Sequence, residues 1–283
     1  MTVSMQSAVA KAGQVLSAAG IDHERMEGSL LLAHVLGRDR TFVIAHAGET
    51  LTPTQLEAFQ LLVARRAAGE PLQYITGHQE FFGLDFKVNP GVLIPRPETE
   101  LIVEAALELL KDKTAPYFAD IGTGSGCIAV SLLHELPNAR ALATDVSSAA
   151  LQVARSNAEH HGLSDRLRLI ESDGFAAIEV TESFDLIVSN PPYVSDEEMK
   201  TLQREVWREP AAALAGGADG FSIIRRLLRD APAFLRVGGH LVFEIGFGQD
   251  EMVCESIDTH VWELIEIRKD LQGIPRTVVL RRN

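Results

Sequence analysis

Only two cysteines, Cys127 and Cys254, occur in the chain, and they fall in different predicted elements. That excludes a disulfide framework and a cysteine zinc site, and it fits a reducing, cytoplasmic setting. Basic residues are also scarce: 26 Lys and Arg stand against 39 Asp and Glu, a formal net charge of −13 over 283 residues. A protein that coats nucleic-acid phosphates carries a basic footprint, so direct nucleic-acid binding is not expected, whereas a basic protein partner is compatible with this charge. No apolar run approaches bilayer length, and Met1 to Gln6 lacks the basic segment and apolar core of a secretory signal, so no membrane association is expected. His23, His34 and His46 are scattered, and no metal site is expected. Internal repeats and low-complexity linkers are missing too. What remains, 46% hydrophobic and 23% charged residues, is the composition of an ordinary globular protein long enough for two domains.

The two halves of the chain follow different patterns. Up to about Gly77 the apolar positions recur at helical spacing. Leu30 to Leu36 form one such segment, closed by Gly37, and Thr52-Pro53-Thr54-Gln55 reads as a capped helix start with Gln55 reaching back to Thr52. The segment from Phe81 to Val88 alternates apolar and polar residues, and Asn89-Pro90-Gly91 supplies a turn before Val92-Leu93-Ile94, which together predict a β-hairpin. After Pro95-Arg96-Pro97 a helix runs from Glu98 to near Leu110.

From Tyr117 onward, short apolar runs alternate with helical segments: 117–121, 141–144, 167–170, 184–188 and 240–245. Two further strands, 261–267 and 277–280, have no helix between them and are expected to pair antiparallel. The expected fold class is α/β, a doubly wound, mostly parallel seven-stranded sheet preceded by a small helical bundle and a hairpin. The boundaries are 1–79 for the helical domain, 80–95 for the connector and 96–283 for the α/β domain.

Four sites fall where predicted strands end. Asp120-Ile121-Gly122-Thr123-Gly124-Ser125-Gly126 joins the first strand to a helix, its glycines allowing a tight turn and close approach of a ligand. The third glycine comes one residue too early for the dinucleotide fingerprint, and a carboxylate at 120 suits an ammonium or sulfonium better than a phosphate. Asp145 ends the second strand, where an acidic residue takes ribose hydroxyls or caps a helix. Asp173, with Gly174 and Phe175, follows the third strand and can accept from an adenine amino group. Asn190-Pro191-Pro192-Tyr193 follows the fourth. There the Asn190 side chain and the Pro191 carbonyl offer two adjacent acceptors that match the two hydrogens of an NH2 group, with Tyr193 available to cover its flat face.

These residues resemble the S-adenosylmethionine-dependent class I methyltransferases, and more narrowly the HemK/PrmC family of glutamine methyltransferases. The resemblance covers nearly the whole chain: Gln73 to Gly77, Phe82-Gly83, Val92 to Glu100, the Gly122–Gly126 loop, Val188 to Tyr193, Glu209-Pro210, Ala213-Leu214, Gly216-Gly217, Asp219-Gly220 and Gly238-Gly239. It implies methyl transfer from S-adenosylmethionine, leaving S-adenosylhomocysteine, to the side-chain amide (N5) of the glutamine in the Gly-Gly-Gln loop of peptide chain release factors. Gly122, Thr123, Gly124, Ser125 and Gly126 would cradle the methionyl part of the cofactor. Asp145 would hold its ribose, and Asp173, Gly174 and Phe175 its adenine. Asn190, bordering the cofactor, would hold the target amide with Pro191, Pro192 and Tyr193. Some relatives carry tryptophan where Gly174 stands, so an aromatic wall is either missing or supplied by Phe175. The helical half is the candidate for gripping a protein substrate. The alternatives are glutamine methylation of a ribosomal protein, N6 methylation of adenine in nucleic acid, and a binding protein without activity.

Overall fold

The computed structural model describes residues 3–283, which divide into two compact units. The first runs up to His78 and takes back Arg204–Arg208, a segment that the sequence reading leaves inside its α/β domain. It is built on helices α1 (Met5–Ala18), α2 (Glu24–Leu36), α3 (Arg40–Ala45), α4 (Pro53–Ala67) and α5 (Leu72–Thr76). Their ends are set locally. Gly37 closes α2 in the left-handed conformation, Asp39 accepts from the Phe42 amide at 2.7 Å to start α3, and the Thr52–Gln55 capping box forms in both directions at 3.0 and 3.2 Å. Leu16, Leu31, Leu32 and Phe59 make the core. Two two-residue strands that periodicity could not reveal, β1 (Val3–Ser4) and β2 (Thr50–Leu51), pair antiparallel. The returning segment is held by charge: the buried Arg66 guanidinium binds Glu27, Glu205 at 2.7 Å and the Glu70 carbonyl at 3.2 Å.

The second unit starts at Gln79, inside β3 (His78–Phe81), which pairs with β4 (Leu84–Lys87) in a two-stranded sheet. The hairpin turns at Phe82-Gly83, both at positive φ, and not at Asn89-Pro90-Gly91. Val92–Ile94 is not a strand. Asn89 folds its own turn by accepting from the Gly91 amide at 2.8 Å, and the Ile94 amide donates to the Glu209 carboxylate at 3.1 Å instead of to a ladder. A single 3₁₀ turn at Pro97–Thr99 then leads into helix α6 (Glu100–Leu110).

The rest of the unit alternates strand and helix as its pattern predicts: β5 (Tyr117–Ile121), α7 (Cys127–Glu135), β6 (Arg140–Asp145), α8 (Ser148–His160), β7 (Leu167–Glu171) and β8 (Phe184–Ser189). After β8, the short β9 (Val194–Ser195) pairs with β10 (Ala215–Gly217). Then come α9 (Ser222–Asp230), β11 (Leu235–Glu244), α10 (Asp250–Ser256), β12 (Trp262–Lys269) and β13 (Pro275–Arg282). Seven strands form one sheet in the order β12-β13-β11-β8-β5-β6-β7. Neighbours from β11 to β7 are parallel, while β13 runs antiparallel to both β11 and β12, as expected for strands joined without a helix. Strand order reverses between β5 and β8, so a crevice opens outside their carboxyl ends. Apolar clusters cover both faces of the sheet, one around Ile102, Phe118 and Leu132 and the other around Phe184, Ile187 and Phe243.

One buried side chain ties the hairpin to the edge where the crevice opens. Asn157 of α8 accepts from the Lys87 amide at 2.8 Å and donates to the carbonyls of Lys87 at 3.0 Å and Ser125 at 2.8 Å. Replacing it with alanine removes three hydrogen bonds to backbone groups, each with a net worth of about 0.5–1.5 kcal/mol. Asn157→Ala should therefore lower unfolding stability by about 2–4 kcal/mol. Asn157→Asp, which keeps the acceptor and loses both donors, should do so too, measured by urea denaturation.

Candidate functional site

A cavity of about 280 Å³ occupies the crevice in the second unit. Its walls are the turns that leave β5, β6, β7 and β8, the segment from Gly91 to Arg96, and one face of α9. Of the residues singled out in the sequence, Gly122, Thr123, Gly124, Ser125, Asp145, Asp173, Gly174, Phe175, Asn190, Pro191 and Pro192 all reach it. Gly126 and Tyr193 lie behind the wall.

The glycine turn is shaped by its conformation. Gly122, Gly124 and Gly126 have φ of 77°, 55° and 81°, where side chains are strained. A Cβ at 126 would stand 3.1 Å from that of Ala154, so this glycine is needed for packing of α7 on α8, while the space beside Gly122 and Gly124 is open. Asp145 spans the turn. One of its oxygens accepts from the Gly124 amide at 2.9 Å and the other from the Ser147 amide at 2.9 Å, leaving lone pairs for a further donor. Helix α8 is capped by Ser147, not by Asp145.

Asp120 does not reach the cavity. It is fully buried beneath the turn, where one oxygen accepts from the Thr123 hydroxyl at 2.6 Å and the other has no partner. Burial pushes its pKa up to about 7. It therefore serves the turn from below and does not face a ligand.

At the other end, Asp173 pairs with Arg226 of α9 at 2.9 Å, and a side chain at 174 would meet the same guanidinium at 3.6 Å. Phe175 is buried, its ring stacked on Phe234 with centroids 5.0 Å apart, so it forms the floor of the cavity and not a free wall. Arg226, which no sequence motif marked, borders this end. Exposed Val146 flanks Asp145 in the same wall.

The tetrapeptide after β8 is held from behind. Ser189 donates to the Ile121 carbonyl at 2.7 Å, and Gln249 donates to the Tyr193 carbonyl at 3.2 Å. Asn190 donates through Nδ2 to the Thr99 hydroxyl at 3.0 Å, and Thr99 donates to Glu244 at 2.6 Å. The Tyr193 hydroxyl donates to the other oxygen of Glu244 at 3.0 Å. This draws the ring off the cavity wall, where the sequence reading placed it over the flat face of a ligand. Burial raises the pKa of Glu244. Arg96 reaches the cavity and is paired with the buried Glu209, which also receives the Ile94 amide.

Sequence reasoning missed Thr99, Glu209 and Glu244 as parts of the site. Thr99 and Glu209 sit inside the segments that carry the family resemblance. Glu244 had its own signal, a lone carboxylate near the end of an apolar central strand.

Two family models match the chain: the PrmC N-terminal domain over residues 7–77 and the methyltransferase small domain over 98–218. A release factor glutamine methyltransferase of Koribacter versatilis is 42% identical over 281 residues, covering 99% of either chain. One from Geobacter sulfurreducens is 47% identical over 267 residues, covering 93% of this chain and 91% of its own. Among solved structures, a ribosomal protein L11 methylase from Lactobacillus delbrueckii subsp. bulgaricus is similar at a TM-score of 0.52 and 21% identity, covering 72% of this chain and 90% of its own. The human Mettl16 catalytic domain in complex with an RNA hairpin reaches 0.58 at 18% identity, covering 82% and 84%. These two share the fold. Among the described residues no helix is long and apolar enough to cross a membrane.

Asp120 gives the turn a pH signature. Its folded pKa of about 7 lies above that of an unfolded aspartate, so between about pH 4 and 7 the folded state binds more protons. Its stabilising contribution is complete below about pH 4 and is lost as pH rises through 7. Asp120→Asn, which still accepts from Thr123, should flatten the fall in melting temperature across that window.

Proposed function

The chain belongs to the release factor glutamine methyltransferase family, and we propose that it transfers the methyl group of S-adenosylmethionine to the side-chain amide nitrogen of the glutamine in the Gly-Gly-Gln loop of peptide chain release factors. The observation that carries this reading is the Asn190-Pro191 pair of acceptors on the wall of the same cavity as the glycine turn and Asp145. Identity of 42–47% to the curated relatives over most of the chain supports it. The setting is the cytoplasm, where translation factors act.

The residues present fit the cofactor. The open space beside Gly122 and Gly124 is a cradle that any Cβ would fill, and Asp145 keeps lone pairs for two hydroxyls after bonding the turn. Gly122 to Gly126 hold the methionyl part and Asp145 the ribose. The nucleobase lies toward Asp173, Gly174 and Phe175, with Arg226 at its edge. When bound, the cofactor supplies an electrophilic methyl on a sulfonium.

The protein's own task is orientation. An amide nitrogen is a weak nucleophile because its lone pair is delocalised into the carbonyl. Asn190 Oδ1 and the Pro191 carbonyl each accept one hydrogen of the substrate NH2, which raises electron density on nitrogen and aims it at the methyl. Good orientation alone contributes about 7–11 kcal/mol. Pro191 and Pro192 stiffen the acceptor loop, and Tyr193 anchors it to Glu244. The methylated nitrogen is strongly acidic and gives its proton to water, so the site needs no dedicated base. The helical unit, which matches the PrmC N-terminal domain, grips the protein substrate beyond the loop.

Incubation of the protein with a bacterial-type release factor and S-adenosylmethionine should add a single methyl, located by mass spectrometry on the Gly-Gly-Gln glutamine. Asn190→Ala should abolish transfer while cofactor affinity by calorimetry stays within about threefold. An unmodified release factor in the presence of demonstrated cofactor binding would overturn the substrate assignment and turn attention to ribosomal proteins, then to nucleic acid.

A further inference from the structure

We propose that Thr99 and Glu244 are positioning residues that decide which end of the Asn190 amide faces the substrate. This rests on the amide-methylation reading above. An asparagine carboxamide has two ends of nearly equal size and opposite hydrogen-bonding sense. Only the oxygen can receive a substrate NH2; presented the other way, two NH2 groups would face each other and the site would repel what it must hold. The amide bond order gives no preference, so the surroundings must supply one.

A short chain of proton donors does so. Glu244 is 1% exposed and Thr99 2%, so neither has water to satisfy it. Both Glu244 oxygens accept, one from the Thr99 hydroxyl and the other from the Tyr193 hydroxyl. The single hydrogen of the Thr99 hydroxyl goes to it at 2.6 Å. Thr99 Oγ1 then has only lone pairs left, and a lone pair can face nothing but a donor. Asn190 must therefore turn Nδ2 to Thr99, as it does at 3.0 Å, and its Oδ1 is left for the cavity that Asn190 lines. The second oxygen of Glu244 is committed to the Tyr193 hydroxyl at 3.0 Å. One buried carboxylate thus sets the polarity of the first residue of the tetrapeptide and the position of the last. Neither of its oxygens is left without a donor.

Thr99 is the cleanest place to test this, because valine has nearly the same shape and serine keeps the hydroxyl. In Thr99→Val the amide loses its reason to point one way, and kcat should fall about 100-fold while KM for the release factor and cofactor affinity change less than threefold. Thr99→Ser should restore kcat to within about threefold. Glu244→Leu removes the acceptor for the Thr99 hydrogen, which is then free to face Asn190 Oδ1, so it should lose kcat in the same manner. A second measurement reads the polarity without turnover: 15N NMR of the cofactor-bound protein, with the Asn190 side chain assigned by its disappearance in Asn190→Asp. One Asn190 side-chain proton should be protected from exchange in the wild type and in Thr99→Ser, and unprotected in Thr99→Val.

Absence of that protection in the wild type, or equal kcat for the valine and serine variants, overturns the inference. A protected proton in a wild-type enzyme that leaves release factors unmodified upholds the polarity and overturns the substrate reading instead. Thermal melts of each variant identify any loss that comes from unfolding.

Discussion

The side-by-side, parallel pairing of β5 and β8 is the constraint on which the site depends. Ala119 lies opposite Ile187 and Asp120 opposite Val188, so the two strands end at the same level, and the Ser189 hydroxyl closes that level on the Ile121 carbonyl at 2.7 Å. The glycine turn and the tetrapeptide leave the sheet from neighbouring points because of this register. A shift of one residue would reverse which side chains face the clusters on either side of the sheet, and those side chains are Phe118, Leu186 and Ile187 with no exposure to spare. Hydrophobic burial along two central strands therefore fixes the distance between the glycine turn and the tetrapeptide.

The polar residues buried at that edge are the costly part of the design, and they differ in what they return. Asp120 is buried with its pKa raised to about 7, and it holds the turn through its bond to the Thr123 hydroxyl. Glu244 has both oxygens occupied. Glu209 binds the Ile94 amide and Arg96, which bends the segment before α6 along the cavity wall where the sequence predicted a strand. Each carboxylate holds one wall segment in place. None of the three is in the cavity lining itself.

Much of this was legible because it rests on local rules. Strand and helix alternation gave the parallel sheet, and the lack of a helix before β13 gave its antiparallel pairing. The capping box at Thr52 and the left-handed Gly37 formed as their residue types demand. What could not be read rests on long-range partners. The turn at Asn89 looks like a hairpin turn until Glu209, more than a hundred residues away, takes the Ile94 amide. Arg204–Arg208 look like part of the α/β domain until the buried Arg66 claims Glu205. Tyr193 was expected over the ligand because aromatic faces suit flat groups, but its hydroxyl is bound to a carboxylate fifty-one residues further on. Phe175 lines the cavity as its place after the third strand suggests, but its stacking on Phe234 could not be read from the sequence.

A pair of acceptors such as the Asn190 side chain and the Pro191 carbonyl does not by itself choose between a glutamine side chain and an adenine ring, since both present a flat, conjugated nitrogen with two hydrogens. Discrimination has to come from outside the tetrapeptide. A nucleic acid brings a phosphate backbone with its base, and a net charge of −13 opposes its approach unless a basic stripe offsets it locally. A basic protein loop is favoured by the same field. The chemistry is thus general to planar amines, and what selects among them has to lie in surfaces beyond the tetrapeptide, of which the charge of the whole chain is one.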